Sequence, residues 1–158
     1  MSQKTGLPAT YTKVLVKKFS NEFKQATEIS TFKMRELVDG LQPHDLIVKH
    51  LYLGINASDI NFTAGRYDPS VKLPFECGFE ALGIVVMTGA KSTVNVGATV
   101  AIMGYGSFAE YRKCRDKDVI CVPVMLVDAE ARSAVPRVAG FRIDCIAGAR
   151  VSWKNNGW

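Results

Sequence analysis

The stretch Pro74-Phe75-Glu76-Cys77-Gly78-Phe79-Glu80-Ala81-Leu82-Gly83-Ile84-Val85-Val86-Met87-Thr88 carries the pattern that decides the fold. Gly78 and Gly83 cut it into short apolar pieces, and Gly83 to Thr88 has the length and β-branched content of a strand. Outward from it, Tyr11 to Phe19, Asp45 to Ile55, Ala98 to Met103, Ser107 to Arg112 and Val119 to Val122 read the same way. Runs such as Lys13-Val14-Leu15-Val16-Lys17 suit a sheet with one wet face and one buried face. Gly78, Gly83, Gly89, Gly97, Gly104 and Gly106 fall mostly where one apolar run ends and the next begins, as bends and bulges require. Helical pattern is scarce, although Ser58 is placed to cap a short turn through Asp59 to Phe62. The expected fold is mainly β: a partly open β-barrel with short helices.

Composition narrows the function classes. With 158 residues, 47% hydrophobic and 22% charged, the chain holds one ordinary core plus an appendage. Its net charge of +5 comes from 20 Lys and Arg scattered among 15 acids, which forms no stripe for a nucleic acid. No apolar run approaches the roughly 20 residues of a membrane span. The polar first thirty residues lack a signal-peptide core, so an intracellular protein is expected. Cys77, Cys114, Cys121 and Cys145 lack the close pairing of a structural zinc site, and free thiols in a reduced compartment are expected. Gly104-Tyr105-Gly106 is a GxG, but no third glycine and no helix follow it, and it reads as a bend.

Three linked stretches carry chemistry: Gly54-Ile55-Asn56-Ala57-Ser58-Asp59-Ile60-Asn61 with Gly65-Arg66-Tyr67, then Pro74 to Val85, then Gly106-Ser107-Phe108-Ala109-Glu110-Tyr111. In order and spacing they resemble the medium-chain dehydrogenase/reductase superfamily over Thr10 to Pro123, on its quinone oxidoreductase and enone reductase side. The resemblance implies a GroES-like catalytic domain at residues 1–124. In zinc-dependent members, a cysteine and a histidine stand where this chain has Asn56 and Phe79. An amide and a phenyl ring do not replace a thiolate and an imidazole, so no metal is expected at either family site.

The implied reaction is hydride transfer from NADPH to the β-carbon of an enone or quinone, 15-oxo prostaglandins included. The developing enolate oxygen then needs a hydrogen-bond donor. Asn56 through its amide and Tyr67 through its hydroxyl are the catalytic candidates, and Asn56 with Asp59 the cofactor-facing ones. Each has a plainer role open to it. Asn56 can organise its own turn with Ser58 and Asp59, and Asp59 can serve the helix start. Glu80, a carboxylate in the apolar run Phe79 to Val86, needs a partner, for which Arg66 is the nearest cation named by the motifs. His44 in a surface loop and His50 in a strand read as structural, and Cys77 as reactive only if exposed.

The tail, residues 125–158, departs from the family. Nothing after Pro123 reads as the strand, glycine-rich turn and helix of a Rossmann unit. Shifted by one nucleotide, the codons permitted for Val138 to Ile146 allow Leu-Leu-Val-Ser-Gly-Leu-Thr-Ala-Ser, and those for Ser152 to Gly157 allow Gly-Lys-Thr. Both suit the family's second domain, so a reading-frame change after about Met125 is expected, through a splice or a sequence fault. On that reading the chain alone binds no NADPH and is inactive. The alternative is a truncated isoform or binding module acting through protein contacts, for instance with a homo-oligomer or a full-length copy.

Overall fold

The computed structural model describes residues 6–122. The expected domain boundary at 124, the frame change and Cys145 lie outside them.

Two antiparallel sheets form the domain. In the first, β1 (Thr10–Val16) lies between β2 (Thr27–Lys33) and β4 (Phe75–Glu76). In the second, β3 (Asp45–Gly54) lies between β7 (Tyr111–Arg115) and β5 (Glu80–Thr88), and β6 (Thr99–Met103) and β8 (Val119–Cys121) complete the order β7-β3-β5-β6-β8. Three short helices, α1 (Phe23–Ala26), α2 (Met34–Asp39) and α3 (Ala57–Thr63), decorate the connections. The sheets are joined by the segment before β7. Glu110 donates to Thr12 O at 2.9 Å, Val14 to Phe108 O at 2.8 Å, and His50 to Glu110 O at 2.9 Å. A barrel that is open rather than closed results, in line with the sequence.

Apolar side chains alternate inward along the strands and pack Leu46, Val48, Val85, Val94, Val100 and Ile102 into one cluster. A second holds Val16, Ala26, Leu53, Cys77, Ala81 and Phe108 between the sheets. Gly83 allows β3 and β5 to approach, since a Cβ there would stand 2.4 Å from Lys49 O.

Some local expectations need correction. The strand expected over Ser107 to Arg112 begins only at Tyr111, because residues 107–110 turn their backbone groups to both sheets. β5 starts at Glu80 rather than Gly83, since the ladder with β3 reaches back to the Gly54–Glu80 pair. β2 and α2 lie where no clear pattern was read. Among the described residues, no helix is long and apolar enough to cross a membrane.

Candidate functional site

β3 ends at Gly54, and the chain swings through the exposed Ile55 into α3. Asn56, extended at φ −125° and ψ 158°, is the N-cap. Asn is among the best residues there because its short polar side chain satisfies the helix's free N–H groups. Asn56 and Asp59 stand in the reciprocal arrangement of a capping box. Its strong half is the Asn56 N–H donating to Asp59 Oδ2 at 2.7 Å, and the Asp59 N–H donates to the Asn56 backbone carbonyl at 3.0 Å. The expected cap, Ser58, lies inside the helix instead, because the chain is already helical from Ala57. The helix-start role read for Asp59 and the turn-organising role read for Asn56 are both present.

The β3–β5 register brings a third polar group to this corner. Glu80 pairs with Gly54 across the ladder, and its Oε2 accepts a hydrogen bond from Asn56 Nδ2 at 3.1 Å. Gly54 makes this possible, since a Cβ there would sit 2.7 Å from Oε2 and 2.9 Å from Cβ of Glu80. The Arg66 partnership expected for Glu80 is not formed. Arg66 donates instead to Asn61 Oδ1 at 2.7 Å and Asn21 Oδ1 at 2.9 Å, an exposed cluster that satisfies its fork.

Asp59 is 1% exposed, and its Oδ1 has no partner among the described residues. Burial raises its pKa from the ordinary carboxylate value, the Asn56 N–H acts against that, and the charge of Glu80 adds to the rise. Asn56 and Phe79, at the positions of the family's zinc ligands, do not suit that metal, and among the described residues no three His, Cys, Asp or Glu side chains gather as a ligand set.

Next to Glu80, the Phe79 ring begins an aromatic surface. It lies 5.5 Å from the Phe62 ring and 4.8 Å from Tyr105, which itself stacks on Phe62 at 4.4 Å. Tyr105 is 53% exposed, so the stack offers a face to solvent beside the polar corner. This stack has no signature in the sequence pattern, because residues 62, 79 and 105 follow no common period. Gly104 and Gly106 flank Tyr105 at positive φ, as the expected bend requires.

Tyr67 is exposed, and its hydroxyl accepts from Asn61 Nδ2 at 3.3 Å rather than joining Asn56. Cys77 is fully buried; burial pushes its thiol up to about 12, and Sγ lies 3.6 Å from Val14 O. Its environment is that of an inert core thiol, not a nucleophile. His44 pairs with Asp116 at 3.2 Å, and His50 is buried with Nδ1 2.7 Å from Ala109 O, so both have structural roles.

Known proteins share this frame. The alcohol dehydrogenase GroES-like domain family matches residues 42–124. Prostaglandin reductase-3 of Bos taurus is 43% identical over 124 residues, which cover 77% of this chain and 32% of that protein. A protein named probable quinone oxidoreductase, from Leishmania amazonensis, is 40% identical over 118 residues, covering 73% of this chain and 34% of its own length. The solved complex of Etr1p with NADP and crotonyl-CoA superposes with a TM-score of 0.59 at 25% identity, over 72% of this chain and 34% of that one. The chain thus spans about a third of the length of the curated relatives it matches. With the polar corner and the two-sheet frame in place, the chain belongs to the alcohol dehydrogenase GroES-like domain family, and proteins named for quinone and prostaglandin reduction are among its relatives.

Proposed function

We propose that residues 1–124 form the substrate-side catalytic domain of a metal-independent, NADPH-using reductase of enones or quinones. The observation that carries this is Asn56, a half-buried N-cap whose amide is held by Glu80 at 3.1 Å beside the Phe79–Tyr105 ring surface. One Asn56 N–H is taken by Glu80, and the other remains to donate to an oxygen that gains negative charge. The aromatic surface suits a flat conjugated substrate. Tyr67, exposed and held by Asn61, is the second candidate donor, and Asp59 fixes the helix start that presents Asn56. In the presence of NADPH, the cofactor supplies the hydride; Asn56 is the residue of this domain that would face its nicotinamide, with Asp59, the other cofactor-facing candidate, buried behind it.

The names of the relatives support this reading: a prostaglandin reductase, a protein named probable quinone oxidoreductase, and the Etr1p complex with NADP and crotonyl-CoA. A 15-oxo prostaglandin is a substrate of the same chemical class. In this reading the nucleotide is held mainly by a domain beyond residue 124, and the 158-residue chain alone turns over no NADPH. A second reading, a non-catalytic partner of a full-length copy, draws on the exposed Ile55, Tyr67, Met103 and Tyr105, which a protein surface would cover.

Two measurements test the proposal. In a chain that joins residues 1–124 to a nucleotide domain, Asn56→Ala lowers kcat/KM for an enone by about 10²- to 10³-fold, the usual cost of one oxyanion donor. Unaltered turnover in that variant sinks the catalytic role. Calorimetric titration of the 158-residue chain with NADPH detects no tight complex, and micromolar binding overturns the placement of the nucleotide site elsewhere.

A further inference from the structure

We infer that Glu80 is a positioning residue: its carboxylate decides which end of the Asn56 amide is turned toward the cleft. The inference rests on the reading of Asn56 given above and adds the group that orients it.

An asparagine amide is nearly symmetric in shape, and only its hydrogen-bond partners choose between its two flips. A carboxylate offers acceptors alone, so Glu80 Oε2 at 3.1 Å from Asn56 requires the nitrogen to face it. In the opposite flip the Asn56 carbonyl oxygen would meet the carboxylate, with two acceptors and no proton between them. The helix start does not compete for the amide nitrogen, since its bonds to Asp59 run through the Asn56 backbone N–H and carbonyl. With the nitrogen committed to Glu80, the remaining N–H is the one group of the amide left to donate outward.

Steric evidence shows that the approach is built into the sheet. Gly54 is register partner to Glu80, and its backbone does not lie at positive φ, so conformational freedom does not explain the glycine. Space does: any Cβ at residue 54 would stand 2.7 Å from the Oε2 that Asn56 contacts. The charged groups facing Glu80 belong to α3 as well, where Asp59 feels its negative charge. Arg66 is engaged elsewhere and does not neutralise it. Glu80 thus keeps its carboxylate for Asn56.

The test uses the 158-residue chain itself, labelled with 15N, without cofactor or substrate. The Asn56 side-chain amide, assigned by its loss in Asn56→Asp, is expected as one pair of signals from a single environment at pH 7. Glu80→Gln should shift that pair and give two amide environments, because glutamine can serve either flip, while the backbone signals of α3 stay in place. Asp59→Asn should leave a single environment. A single, unshifted pair in Glu80→Gln, or two environments in Asp59→Asn, overturns the inference. Should Glu80→Gln not fold, Gly54→Ala gives the same decision: it must displace Glu80 and double the signals, and an unaltered pair there also overturns it. Failure of the proposed reaction would leave these signals untouched, so the two readings fall separately.

Discussion

The two ends of β3 obey different rules. At its start, Leu46, Ile47 and Val48 are all fully buried, and Leu46 and Val48 meet Val85, Val100 and Ile102 in a wholly apolar cluster. At its far end, past Gly54, lie Asn56, Asp59 and Glu80, with one carboxylate oxygen of Asp59 buried and unpartnered among the described residues. Burial is equally deep at Leu46 and Asp59, but at the first it stabilises the fold and at the second it strains a charge. A strand whose residues 46–48 are wholly core can therefore hold a polar corner at its other end, as a rigid element positions side chains.

The largest expected effect tests the apolar end. Leu46→Ala should lower unfolding free energy by about 2–5 kcal/mol, the transfer loss plus the cavity left in a sheet that cannot collapse around it. Urea denaturation followed by circular dichroism measures it. Ile55→Ala, at an exposed position on the other end, should stay within about 0.5 kcal/mol. Equal losses at both positions would abolish the contrast, because Ile55 would then be covered in solution.

His50 stands between the two ends and gives a pH-dependent effect of intermediate size. Nδ1 lies 2.7 Å from the Ala109 carbonyl, an acceptor only, so Nδ1 carries the proton; Nε2 is buried without a partner among the described residues. Burial, chiefly, and the nearby Arg112 charge lower the imidazole pKa from 6.5 to about 4. The unfolded chain therefore binds a proton that the folded chain refuses between those values. Stability is complete above pH 6.5 and falls as the pH drops toward 4, by roughly 3 kcal/mol in full. In His50→Gln that part of the slope should vanish, and wild-type and variant chains with parallel pH profiles would refute the assignment.

The same contrast governs how much the sequence revealed. Within the five-stranded sheet, β3, β5 and β6 are legible because their apolar residues are buried in runs and glycines lie near their ends. β2 is not, since Glu28, Ile29, Thr31 and Lys33 are exposed and its pairing with β1 is made across the fold rather than by local pattern. Asn56 and Asp59 are three residues apart and can be joined from the sequence. Glu80 is 24 residues from Asn56, and only the β3–β5 register places it there. Arg66 is a nearby cation in the motif, but Asn21, 45 residues away, and Asn61 hold it. The Phe62–Phe79–Tyr105 stack was invisible for the same reason, being assembled from a helix, a strand entry and a bend.

The smallest effect is the sharpest test of the polar end. A carboxyl whose pKa is raised in the fold binds its proton more tightly folded than unfolded, so Asp59 costs stability as pH rises from the ordinary carboxylate range through its raised value. Asp59→Asn removes that cost while its side-chain oxygen can still accept the Asn56 N–H, and no charge remains there for Glu80 to repel. The variant should match or exceed the wild type at pH 7, and the gain should disappear as the pH falls below the ordinary carboxylate value, where Asp59 is protonated in both states. Thermal unfolding at pH 7 and pH 3.5 measures the difference. A loss of about 2 kcal/mol or more at neutral pH would mean that the Asp59 charge is compensated in solution, and the corner would then belong with the apolar end as a stabilising element rather than a strained one.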